Sequence, residues 1–127
     1  MKVTKVRTLA ILVLAVLMSS GAAAANAPKL ARVVLLTTSK ACSCTLERCQ
    51  AGEELVKEVF AKARPGLVQR LDYAQDKVKA KEYIKKYHLI ALPALLFLDE
   101  YGNLLWSAVG ELAGQPLTEK LAQFGAE

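Results

Sequence analysis

Apolar and polar positions change their period along this chain, and the changes predict seven elements beyond its amino-terminal segment. Val33 to Leu36, inside "ARVVLLTTS", is an unbroken apolar run of the kind buried on both faces of a sheet. Leu46, Cys49, Val56, Val59, Phe60 and Ala63 then recur at helical spacing. On the other face Glu53 precedes Lys57, and Glu58 precedes Lys62, by one helical turn, and Pro65-Gly66 ends the pattern. "LVQRLDY" reads as a second strand. Asp76 is placed to cap a helix through Tyr87 whose apolar positions are Val78, Ala80, Ile84 and Tyr87. Ala94 to Leu98 and Leu104 to Val109 flank the turn residues Asp99 to Asn103 and predict an antiparallel hairpin. Pro116 opens and Gly125 closes a last helix presenting Leu117, Leu121 and Phe124. The order is β-α-β-α-β-β-α, an α/β chain with a mixed four-stranded sheet flanked by helices. Helical crossovers join the first three strands, which are therefore expected to run parallel, with the last strand antiparallel.

The amino end follows another logic. Lys2, Lys5 and Arg7 precede an apolar run from Leu9 to Met18, and small residues follow it. This is the pattern of a secretory signal, expected to cover residues 1–25, with the mature domain at 26–127. The run is shorter than the roughly 20 residues that span a bilayer, so no stable membrane span is expected after cleavage; an uncleaved anchor is the alternative. Charge shifts with the cut. The whole chain carries +5, but three basic residues and no acidic ones lie in 1–25, leaving 14 basic against 12 acidic. A net +2 is no nucleic-acid footprint. The lysines at 77, 79, 81, 85 and 86 are expected to form a solvated helix face.

All three cysteines fall in one stretch, "KACSCTLERC", as Cys42, Cys44 and Cys49. In an exported protein an odd count leaves one thiol unpaired, and such crowding is unlike a structural disulfide framework. Two kinds of chemistry remain: thiol-disulfide exchange, or a soft metal such as Cu(I) or Zn held by the three thiolates. Cys49 lies on the apolar stripe, seven residues beyond Cys42, or roughly 10 Å along an ideal helix. A disulfide needs Cα atoms within about 7 Å, so Cys44 is the nearer partner. Cys49 is either a third thiol or a small buried hydrophobe. His88, the single histidine, is expected to be a surface or loop residue rather than a fourth ligand. No glycine-rich phosphate loop and no His-Glu-x-x-His helix is present, and Glu53-Glu54 and Asp99-Glu100 read as a helix face and a turn.

Cysteines just after the first strand, the element order, and "KYHLIALPALLFLDEYGN" with its Leu92-Pro93 step resemble the thioredoxin superfamily across nearly the whole of 26–127. The resemblance implies a thioredoxin-like fold, Cys42 as the attacking cysteine, Pro93 as a cis proline facing it, and Leu92 offering backbone groups to an extended substrate. It implies no cofactor, and protein thiols or disulfides as partners. The sequence departs from the family's Cys-x-x-Cys: Thr45 holds the fourth position and Cys44 comes one residue early. Leu36 and Thr38 stand where cytosolic thioredoxins often carry polar and aromatic residues, so proton handling is expected to differ. At the start of a helix a thiolate is favoured by free N–H groups, with Lys40 and Arg48 adding positive charge and Glu47 offsetting it. The expected function is exported thiol-disulfide exchange through Cys42 and a resolving Cys44; the alternative is a soft-metal carrier using Cys42, Cys44 and Cys49.

Overall fold

A computed structural model describes residues 28–125; the expected signal segment lies outside them. Strand β1 (Arg32–Thr37) is followed by α1 (Ser43–Val59), β2 (Val68–Asp72), α2 (Lys77–Tyr87), β3 (Ala94–Leu98), β4 (Leu104–Val109) and α3 (Gly114–Phe124). The sheet order is β2-β1-β3-β4. The two middle strands are the continuous apolar runs, because both of their faces are covered. Alternate side chains divide between the layers. Val33, Leu35, Leu95 and Phe97 meet Val56 and Phe60 near the end of α1 and Leu117 of α3. Val34, Leu36, Leu96 and Leu98 join Leu71 and Ala80 of α2 on the opposite face. Phe97 anchors the first layer, edge-on to Phe60 at 6.1 Å and to Trp106 at 5.1 Å between ring centroids.

Strand direction departs from the expectation. β1 and β2 are parallel, but β3 is antiparallel to β1, and β4, antiparallel to β3, points the same way as β1. The link between β2 and β3 leaves at Asp72, partner of Thr37, and re-enters at Ala94, partner of Leu36. Both points lie at one end of the sheet. A parallel strand needs a link that carries the chain to the opposite end, whereas here α2 runs out about 16 Å and segment 88–93 brings the chain back. The reversal begins at His88, the left-handed C-cap of α2 with φ 54°.

Two helix ends also differ from the pattern. α1 stops at Val59, and beyond it the backbone tightens, Ala61 N–H donating to Glu58 O and Ala63 N–H to Phe60 O. Pro65 disfavours helical geometry in the residue before it, so the last apolar positions, Phe60 and Ala63, sit in turns. Asp76 occupies the N-cap position of α2, yet its carboxylate makes no cap and instead accepts from Asp72 N–H at 3.3 Å. α3 begins two residues before Pro116, which still falls in the first turn, where a missing N–H costs nothing.

Candidate active site

The site is assembled where β1 hands over to α1. Thr38 is buried and braces the connecting loop, its Oγ1 donating to Lys40 O and accepting from Lys40 N–H. Across the sheet end, Oδ1 of buried Asp72 accepts from Ser39 N–H at 3.0 Å and from Ala74 N–H at 2.8 Å. Burial pushes the Asp72 carboxyl up, but these hydrogen bonds and nearby Arg70 outweigh it and hold the group below the usual carboxylate range. Asp72 thereby ties the loop before the cysteines to β2. Its Oδ2 and the hydroxyl of its strand partner Thr37 are buried without a hydrogen-bond partner among the described residues.

Cys42 is the N-cap of α1, in extended conformation at φ −64° and ψ 158°, and its carbonyl accepts from Thr45 and Leu46 N–H. With Cys42 off the helix and Cys44 in the first turn, the two side chains converge. Their Sγ atoms are 3.3 Å apart, and both residues are exposed. The Thr45 hydroxyl lies 3.3 Å from Cys42 Sγ. The Cys42 thiol is lowered from its ordinary 9.0 to about 7, first by the Thr45 hydroxyl, then by the Thr45 backbone and by Cys44. These are hydrogen bonds that favour the thiolate over the thiol. Arg48 has a different role, its Nε donating to Cys44 O at 3.4 Å.

The third cysteine is set apart. Cys49 is 1% exposed on the inner side of α1, so the structure brings Cys42 and Cys44 together but not Cys49. Among the described residues no group of three His, Cys, Asp or Glu side chains is placed to hold a metal ion. His88 is exposed at the far end of α2.

The Leu92–Pro93 peptide bond is cis, Leu92 is half-buried, and Pro93 is fully buried with its carbonyl accepting from Gly110 N–H at 2.8 Å. Pro93 reaches α1 at Gly52, where a Cβ would lie 3.2 Å from Pro93 Cγ and 3.0 Å from Leu112 Cδ1. Gly52 is what lets the proline loop close on the helix. Alongside, a cavity of about 360 Å³ runs from Cys44 to Gly52, with Leu112 and Glu111 on its far side.

Two of these residues were not legible as functional in the sequence. Thr45 registered only as the residue replacing a cysteine, although a hydroxyl three positions after a helix-capping thiol is itself a usable signal. Asp72 lies inside the run "LVQRLDY" that reads as a strand, and nothing local marks an aspartate that reaches across to another loop.

This architecture matches solved structures. Thioredoxin O2 from Arabidopsis thaliana superposes with a TM-score of 0.56 at 19% identity, over 78% of this chain and 77% of that one. The chain has a thioredoxin-like fold. Desulfothioredoxin from Desulfovibrio vulgaris Hildenborough aligns with a TM-score of 0.53 at 17% identity, covering 72% and 79% of the two chains. Thioredoxin from Aeropyrum pernix gives 0.53 at 12% identity, covering 72% and 73%. No protein-family model matches the sequence, and no curated protein does. The thioredoxin-like fold is thus reached here by a sequence far from those of these structures.

Proposed function

We propose that this chain is an exported thiol-disulfide exchange protein acting on protein thiols or disulfides. The observation that carries the reading is the contact between two exposed thiols, Cys42 and Cys44, at the start of α1, with the Cys42 thiol lowered to about 7. The Cys42 thiolate attacks one sulfur of a partner disulfide, and the other sulfur leaves as a thiolate and takes up a proton. A mixed disulfide then joins Cys42 to the partner, with the substrate backbone running beside Leu92 and Pro93. Cys44, deprotonated, attacks Cys42 Sγ, the partner's second thiol leaves, and a Cys42–Cys44 disulfide remains. Two electrons have passed from the protein dithiol to the partner, and the reverse sequence oxidises a partner dithiol.

What supports export is the charged, apolar and small-residue order of segment 1–25. Intact-mass measurement of secreted protein is expected to show a chain beginning near Asn26.

The deciding experiment uses three single variants. Cys42→Ala is expected to abolish reduction of a model disulfide, Cys44→Ala to accumulate mixed disulfides, and Cys49→Ala to retain turnover. A soft-metal carrier requires another pattern, in which all three variants bind Cu(I) or Zn much more weakly than the parent and none of the four proteins reduces a disulfide. That result would replace the exchange reading.

A further inference from the structure

The cavity beside α1 is lined by Cys44, Glu47, Arg48, Ala51, Gly52, Glu111 and Leu112; Cys42 is not part of its wall. A ligand seated there lies against the second thiol, with the first outside the wall and 3.3 Å beyond it. Cys42, in contrast, is the sulfur whose negative charge is supported by the Thr45 hydroxyl and the first turn of α1. In the oxidised pair this makes Cys42 the better leaving group, and thiol attack on a disulfide is faster when the expelled sulfur carries charge more easily.

From these two observations we infer that the cavity is the entry site for a small thiol that reduces the Cys42–Cys44 disulfide by attacking Cys44. The inference rests on the exchange reading and adds to it a second substrate and a direction of attack. The incoming thiolate bonds to Cys44 Sγ, the bond between Cys44 and Cys42 breaks, and Cys42 leaves as the thiolate. A second molecule of the small thiol attacks its own sulfur in that adduct, and Cys44 departs and is protonated. Two thiols have become one small disulfide, and the protein has regained its dithiol.

The walls indicate the class of thiol. A volume of about 360 Å³ is at the lower end for small-molecule sites and leaves ample room for a few-atom thiol. Glu47 and Glu111 provide two carboxylates, while the one guanidinium, that of Arg48, is partly engaged with Cys44 O. The site therefore favours an aminothiol, whose ammonium the carboxylates receive, over a thiol bearing only a carboxylate. The charges are exposed and screened, so the preference is modest and grows as salt is lowered.

The test starts from mature protein oxidised at Cys42–Cys44. It is mixed with cysteamine, quenched in acid, and cleaved after Lys40 and Arg48 so that fragmentation of the 41–48 peptide separates the two cysteines. The adduct is expected on Cys44 in on the order of tenfold excess over Cys42. Rates are then compared for cysteamine and 3-mercaptopropionate, each relative to its rate with a linear model disulfide. Cysteamine is expected to lead by about threefold at low salt, and Glu111→Gln to shrink that ratio. An adduct mainly on Cys42, or a ratio near one that Glu111→Gln leaves unmoved, overturns the inference while leaving exchange itself intact. A protein that never forms the Cys42–Cys44 disulfide overturns both.

Discussion

The hydroxyl of Thr45 stands 3.3 Å from Cys42 Sγ, in the position where the Cys-x-x-Cys pattern would place a second sulfur. A hydroxyl that favours the Cys42 thiolate stands there, and Cys44, one residue earlier, reaches Cys42 because α1 has only just begun.

Removing that hydroxyl should be visible in titration. Thr45→Val keeps the shape of the side chain and loses the donor, so the Cys42 midpoint is expected to rise from about 7 toward 9.0, while Thr45→Ser restores it. Alkylation rate against pH, or ultraviolet thiolate absorbance, reads the shift. The sign follows from linkage: a lowered folded-state value means the native protein gives up its proton first. Cys42 therefore adds stability as pH rises from about 7 to 9.0 and loses it on the way down through 7.

Asp72 should matter more for stability than for chemistry. Asp72→Ala removes the acceptor of both Ser39 and Ala74 N–H and is expected to cost about 1–3 kcal/mol in denaturant unfolding. Because its folded-state value is lowered, its contribution is present above the ordinary 3.8 and is lost as pH falls through the lower, folded value. The variant should consequently show a shallower acid loss than the parent. An unchanged acid limb would mean that other carboxylates carry it.

Gly52 sits against a ring that cannot retreat. Alanine ordinarily gains about 1 kcal/mol over glycine inside a helix, but here its Cβ would press on buried Pro93 as well as on Leu112. Gly52→Ala is expected to be net destabilising by about 1 kcal/mol, overpacking exceeding the helical gain. Equilibrium unfolding by urea checks the sign, and a stabilised variant would show that the Pro93 loop yields.

Cys49 is buried in the core and is therefore expected to be unreactive in the native protein. Cys49→Ala is expected to cost on the order of 1 kcal/mol with exchange retained, and Cys49→Ser somewhat more, because a hydroxyl would be buried there. Labelling native protein with a thiol reagent should modify Cys42 and Cys44 but spare Cys49 until denaturant is added.

The sequence by itself determined the seven elements, their order and the residues that fill the core. Periodicity is local, and a run such as Ala94 to Leu98 has no other place to go than the middle of a sheet. It also placed Cys42 at a helix start, because the change from apolar run to helical spacing falls at "KACSC". The tertiary structure alone decided the direction of β3, since hydrophobic pattern is the same whichever way a strand points and only the closure of the α2 link at one end of the sheet selects antiparallel pairing. It likewise decided that Asp72 serves the loop of Ser39, and that Cys44, rather than Cys42, faces a cavity made with Glu111 and Leu112. Those contacts join residues far apart in the chain, and no local period encodes a long-range hydrogen bond or the wall of a cleft.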